Sequence, residues 1–198
     1  MSAVSFQIDV PEITLARARR GDMRALEQIY RAFERPAYTL VLRMLGNADS
    51  AREIVHDAML RMIERIGQFR GDAPFWGWLR QIVVNEALMR LRRERSIAFD
   101  ALPDDDESPC GGSPPWALAD AKRLERAMER LPALTRSVLW LYHVEEYTHQ
   151  EIAEMTGKSV SFSKSQVMRG GMRLRALLDP ALSEPNQEVA PCLTATAH

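Results

Sequence analysis

Between Arg90 and Arg95 the chain sets four arginines, Arg90, Arg92, Arg93 and Arg95, against a single acid, Glu94. The helix predicted to carry them opens on three rings, Phe75, Trp76 and Trp78. Guanidinium groups hold phosphates, and aromatic faces stack on unpaired bases at about 1–3 kcal/mol per base, so the pairing suits a single-stranded nucleic-acid platform. Arginines that complement a helix C-terminus, and rings that fill a core, would look the same. A second basic stretch favours the nucleic-acid reading. From Met155 to Leu178 there are five bases, Lys158, Lys164, Arg169, Arg173 and Arg175, and no acid. Ile152, Ala153 and Gly157 occupy the places of the apolar contact, small crossing residue and turn residue of a helix-turn-helix, so the basic run falls where the recognition helix would lie.

Other chemistry is weakly signalled. Gly157-Lys158-Ser159 ends like a phosphate-binding loop, but the position needing the earlier glycine is Ile152 and no strand precedes it. His143 and His149 straddle a predicted helix break, with His56 and His198 remote in sequence, so no metal spacing arises. Glu53 and Asp57 stand at i, i+4 on one helix face, where solvated charge is the ordinary state, and no nucleophile, base and orienter assemble. Neither an enzyme, a cofactor, a metal nor a small-molecule substrate is expected.

The elements that must position these residues are helices. Apolar residues recur at three and four through Leu26, Ile29, Tyr30 and Phe33, then Leu40, Val41, Met44 and Leu45. The expected fold is all-α, two small helical domains joined by a linker. Asp22 is placed to cap a helix from about Met23 to Leu45, which Gly46-Asn47 ends. Asp49 or Ser50 is expected to cap the next, whose apolar set is Ile54, Val55, Ala58, Met59, Met62, Ile63 and Ile66. Phe69 to Ala73 form a tight loop, and Pro74 starts a helix reaching about Arg95. The stretch from Phe99 to Pro115 holds five acids, no base and four prolines, the composition of a linker. Helical periodicity resumes near Leu118, breaks at Pro132 and continues to about Glu145. Thr148 and Glu151 form a capping-box pattern, and Val160 to Leu178 is the last helix. The tail after Asp179-Pro180 is polar and expected to be disordered.

Composition limits how such a protein works. Of 198 residues, 46% are hydrophobic and 27% charged, with 26 Lys and Arg against 27 Asp and Glu. A net charge of −1 excludes binding to polyanions by bulk charge, so local basic surfaces must do it. Cys110 and Cys192 are too few and too distant for a disulfide framework or a four-ligand zinc site. The first ten residues lack a signal-peptide pattern, and the most apolar neighbourhood, Tyr38 to Leu45, is interrupted by Arg43. A cytoplasmic protein without membrane insertion is expected.

The segments RRGDMRALEQIY and RMLGNADSAREIVHDAMLRMIERIGQFRGDAPFWGWLRQIVVNEALMRLRRER resemble region two of the bacterial RNA polymerase sigma factors of the sigma-70 family, in their small extracytoplasmic-function (ECF) form. LERAMERLPALTRSVLWLYHVEEYTHQEIAEMTGKS is similar to region four, and the acidic stretch stands in place of region three. The resemblance implies region two over 12–98, a linker over 99–116, region four over 117–178 and a tail over 179–198. It implies promoter-specific transcription initiation with core RNA polymerase, through the beta-prime clamp and beta flap, and an anti-sigma factor as a further partner. Carried over by position, Glu53, His56 and Asp57 face the clamp. Phe69, Arg70, Gly71, Asp72 and Ala73 fall in the loop that captures a base flipped from the minus-10 element, with Asn85 beside that pocket. Lys164, Ser165, Gln166, Met168 and Arg169 match positions that approach the minus-35 element. The chain departs from the family there: Ser161 to Gln166 replaces the usual Gly-Thr-Val-Lys-Ser-Arg, and Gly170-Gly171 follows Arg169 where Ala-Arg is common. A sigma-like decoy that sequesters an anti-sigma factor without touching DNA is the alternative, and it would need neither basic surface.

Overall fold

A computed structural model describes residues 6–97 and 121–178. The predicted linker over 99–116, the tail from 179, both cysteines and the side chain of Arg95 lie outside the described residues. Within them are eight α-helices and no strand: α1 (Glu12–Arg19), α2 (Met23–Leu45), α3 (Ala48–Arg65), α4 (Phe75–Ile97), α5 (Ala121–Glu129), α6 (Ala133–His143), α7 (His149–Thr156) and α8 (Val160–Leu178). A single 3₁₀ turn, Ile66–Gln68, follows α3.

Local chemistry sets most helix ends. The Asp22 carboxylate accepts from the Arg24 and Ala25 N–H groups at the start of α2, and Arg17 holds that carboxylate from the side at 2.8 Å. Gly46 ends α2 in the left-handed conformation, at φ 71°. The cap of α3 is Asn47, whose side chain accepts from the Ser50 N–H at 2.9 Å, rather than Asp49 or Ser50; both of those lie within the first turn. Pro36 sits buried inside α2 without interrupting it. Thr148 and Glu151 complete the reciprocal capping box on α7.

Helices α1 to α4 wrap a core in which Phe33, Ile29, Met44, Met59, Met62 and Leu79 are fully buried. The outer side of α3 keeps Leu60 at 46% and Ile63 at 37% exposure. Ile63 therefore lies off the core face predicted for it, at the edge of the stripe that Met59 and Met62 bury.

The two domains are not separate cores. Val138 and Leu141 of α6, with Ile152 and Met155 of α7, belong to the same apolar cluster as α2 and α4. A smaller cluster, Ala127, Leu131, Leu139 and Leu174, ties α5, α6 and α8 together. Helix α8 runs unbroken through Gly170 and Gly171, and the two glycines differ in role. A Cβ on Gly170 would fall 2.6 Å from Thr135 Cγ2 and 2.9 Å from Leu139 Cδ1, whereas one on Gly171 would meet nothing within 4 Å. Gly170 lets α8 approach α6; Gly171 only loosens the helix. Gly171→Ala should therefore raise stability by up to about 1 kcal/mol and Gly170→Ala should lower it, read as opposite shifts of the denaturation midpoint in urea.

Candidate nucleic-acid interface

The loop between the 3₁₀ turn and α4 is pinned at one end and presented at the other. Phe69 is 8% exposed, its ring packed edge-on against Phe75 at 5.3 Å and tilted on Trp78 at 5.4 Å. Arg19 of α1 donates to the Phe69 carbonyl at 3.1 Å and lies 5.5 Å from the ring centroid. Phe69 thus anchors the loop from below. Arg70, Gly71, Asp72 and Ala73 are exposed beyond it, with Gly71 at φ 85°, a conformation that side chains resist.

These four residues edge a cleft of about 650 Å³ that also reaches Asn85. Trp78 and Gln81 line it from the face of α4 that carries Asn85, and Arg80 borders it beside them. Stepping back from Asn85 by helical intervals of four and three identifies Gln81 and Trp78, a signal present in the sequence. No comparable signal points to the opposite wall, which is Tyr147, Glu151, Glu154 and Met155 of the second domain.

The ring platform is smaller than its composition suggests. Phe75 is buried against Phe33, Phe69 and Trp78, so it serves the core, and Trp76 packs under Arg80, 5.2 Å from the guanidinium. Of the three rings that open α4, Trp78 is the one lining the cleft. The arginine run is likewise partly engaged. Arg90 donates to Glu94 at 2.7 Å and to Glu53 at 3.1 Å, and Arg92 donates to the Met155 carbonyl across the domain boundary; Arg93 is exposed. Glu53, His56 and Asp57 share the exposed side of α3 with Leu60, as the pattern of buried residues at 54, 55, 58 and 59 requires.

In the second domain Gly157, left-handed at φ 66°, makes the turn between α7 and α8, and Ser159 accepts from the Phe162 N–H at 3.0 Å to cap α8. Lys164 is exposed on that helix, while Ser165, Gln166, Met168 and Arg169 are half-buried. The Thr135 hydroxyl donates to Gln166 Oε1 at 2.7 Å, tying this side chain to α6. Ser163 is buried and shares a 3.0 Å hydrogen bond with His149 Nδ1, whose ring stacks on Tyr142 at 4.3 Å. Burial, then the charge of Lys164, pushes His149 below its ordinary value; burial, then His149, does the same to His143. Both imidazoles are therefore harder to protonate in the folded chain than in the unfolded one. An unfolded chain then binds more protons than the folded one once pH falls below about 6.5, so this domain should lose stability on acidification. Thermal melts from about pH 7.5 to about 5.5 should show a drop in midpoint that shrinks in His143→Asn and His149→Asn. No group of metal-ligating side chains assembles among the described residues, and no helix there is long and apolar enough to cross a membrane.

An all-helical pair of domains, one with an exposed loop beside a cleft and one with a helix-turn-helix, is an architecture found among DNA-binding proteins. Residues 29–97 match Sigma-70 region 2, and residues 121–174 match Sigma-70, region 4. The ECF RNA polymerase sigma factor SigM of Mycobacterium tuberculosis is 32% identical over 164 residues, spanning 83% of this chain and 82% of that protein. The RNA polymerase sigma-H factor of Pseudomonas aeruginosa is 28% identical over 183 residues, 85% of this chain and 93% of its own. In fold, the chain resembles the sigma factor RpoE of Bartonella quintana, solved with the anti-sigma factor NepR, at a TM-score of 0.52 and 19% identity over 77% of this chain and 95% of that one. The chain belongs to the ECF sigma factors of the sigma-70 family, which serve promoter-specific transcription initiation.

Proposed function

We propose that this sigma factor reads its promoters by dividing the work between two surfaces: the cleft edged by Arg70 to Ala73 and Asn85 takes an unpaired base of the downstream element, and α8 contacts the upstream duplex. Residues 12–98 form the first working domain, 99–116 the tether, 117–178 the second domain, and 179–198 a tail. Glu53, His56 and Asp57 face core polymerase. The protein acts in the cytoplasm and catalyses no covalent step itself. An anti-sigma factor is part of this reading, by likeness to the Bartonella quintana protein.

The observation that carries it is the convergence of loop and helix on one cleft of about 650 Å³, whose lining brings Asn85 together with Arg70, Asp72, Trp78 and Gln81. Extruding a base costs a few kcal/mol, which hydrogen bonds and stacking inside such a pocket offset. Trp78 supplies a face for stacking and Asn85 an amide able to donate and accept. Asn85→Ala in the reconstituted holoenzyme should weaken binding of a single-stranded downstream probe about tenfold, near 1.4 kcal/mol, and leave an upstream duplex probe unaffected. Loss confined to the upstream probe would reject the assignment. Run-off transcription with purified core separates this reading from a decoy, which would support none.

A further inference from the structure

Helix α1 lines no part of the cleft, yet one of its side chains crosses 50 positions of sequence to hold the loop that edges it. The helix is fixed where it lies by the buried Leu15 and Ala18, and the Arg17 ion pair with Asp22, at 2.8 Å, ties its end to the cap of α2. From that fixed end Arg19 donates through Nη2 to the Phe69 carbonyl at 3.1 Å, with its guanidinium carbon 5.5 Å from the centre of the Phe69 ring. Nη1 meets Glu12 of the same helix at 3.1 Å. The Nε–H is buried without a partner. An unpaired buried donor costs free energy, so Phe69 and Glu12 set the place of this guanidinium at the expense of that donor.

Phe69 is the last buried residue before the exposed part of the loop. Its N–H donates to the Ile66 carbonyl at 3.2 Å, its ring packs on Phe75 and Trp78, and its carbonyl takes the Arg19 hydrogen bond. Of these contacts the third alone acts on the peptide unit that leads into Arg70. That unit is planar, so a carbonyl held toward α1 sends the Arg70 N–H to the opposite side and sets the direction in which residues 70–73 depart. All four are exposed, and Gly71 among them is the residue type with the most backbone freedom. At the far end the Pro74 carbonyl accepts from the Gly77 and Trp78 N–H groups at 3.0 and 3.3 Å, in the first turn of α4. Four residues thus span two fixed points, and Arg19 decides the angle at one of them. A guanidinium suits this post because it donates in its plane while its face lies against a ring, which an ammonium does less well.

We propose that Arg19 is a positioning residue of the strand site: by holding the Phe69 carbonyl it presets the path of residues 70–73, so that the loop meets an extruded base already in its binding geometry. Arg19 itself touches no base. This rests on the cleft being the strand site. A loop that is not preset must be ordered during binding, and the cost falls on the strand whose bases the loop reads, not on a strand held through its phosphates alone.

The test uses holoenzyme reconstituted with purified core polymerase and two fluorescein-labelled single-stranded oligonucleotides, one selected from a random pool by the wild-type holoenzyme and one a shuffled form of the same composition. The quantity read is the ratio of their dissociation constants, which a smaller folded fraction leaves unmoved. Arg19→Met, which keeps the stem and removes the donors, should shrink this ratio about tenfold by weakening the selected strand and sparing the shuffled one. Arg19→Lys, which keeps a donor and the charge, should fall between Arg19→Met and the wild type. Arg20→Met, which removes the same charge from the exposed neighbouring position, should keep the wild-type ratio. The inference is overturned if Arg19→Met keeps the wild-type ratio, if Arg19→Lys does no better than Arg19→Met, or if Arg20→Met lowers the ratio as far. Asn85→Ala separates this inference from the reading beneath it. A ratio lowered by Asn85→Ala and untouched by Arg19→Met rejects the positioning role alone; a ratio that Asn85→Ala leaves unaltered rejects the cleft as the strand site, and this inference with it.

Discussion

Arg136→Met should lower the thermal midpoint by about 6–12 °C, the shift that about 3 kcal/mol produces in a chain of this size. Arg136 is 6% exposed, and among the described residues its hydrogen bonds go to backbone carbonyls. Its Nε donates to the Met44 carbonyl at 3.0 Å and its Nη2 to the Leu45 carbonyl, the last acceptors of α2. Its Nη1 reaches the Glu129 carbonyl at 3.2 Å, at the end of α5. One guanidinium therefore closes two helix C-termini from different domains, where orphan carbonyls and the negative ends of two dipoles meet. Burial pushes its pKa below the ordinary arginine value, and the nearby Glu129 charge works in the opposite direction. Methionine fills much of the volume but offers no donor, leaving carbonyls to be hydrated at an apolar boundary. Ser137, which donates to the same Met44 carbonyl at 3.2 Å, holds only part of the junction. Calorimetry should show the midpoint fall and a single transition broaden or split as the domains uncouple. An unchanged midpoint would mean that the apolar contacts of Val138 and Leu141 hold the junction unaided.

Reversing Asp57 to Lys together with Leu60 to Asp should weaken holoenzyme formation by at least tenfold, about 1.4 kcal/mol, with folding intact. Both side chains project from the outer face of α3, and Leu60 is a large apolar residue left 46% in water beside an acidic row. An apolar side chain flanked by charges of one sign is the composition of an anchor with a steering rim: the leucine would be desolvated on binding and the acids would guide a basic partner. Exposed substitutions away from packed features usually change stability by no more than about 0.5 kcal/mol, so a loss of affinity here reports the surface itself. Glu53→Lys adds a second effect, because it places like charge against Arg90, now 3.1 Å away. Titration of labelled core polymerase reads the result, and equal affinity for the double variant and the wild type would remove this face from the proposed interface.

Asp22, Gly46, the Thr148 and Glu151 box and Gly157 were legible in the sequence because each acts on backbone groups within a few residues, so the bounds of α2 and α8 followed from spacing. The cap of α3 was misplaced within one turn, since Asn47, Asp49 and Ser50 are all competent acceptors and only the entry angle of the chain selects among them. The loop from Phe69 to Ala73 and Asn85 could be named from resemblance, but not that Phe69 faces down into the aromatic cluster while its neighbours face out. Gly170 and Gly171 are the same residue in the same helix; which of them α6 requires depends on a contact 31 or more positions away in the chain. Arg80, Arg92 and Arg136 carry the same limit in sharper form. A guanidinium reads locally as solvated charge, yet here each hydrogen-bonds a group of the other domain. Helix type, helix ends and the all-α two-domain plan were set by short-range periodicity and capping, which a linear chain displays. The seating of one domain on the other was decided by long-range contacts: the apolar packing of Val138, Leu141, Ile152 and Met155, and partners for arginines whose reach of several bonds the sequence does not direct.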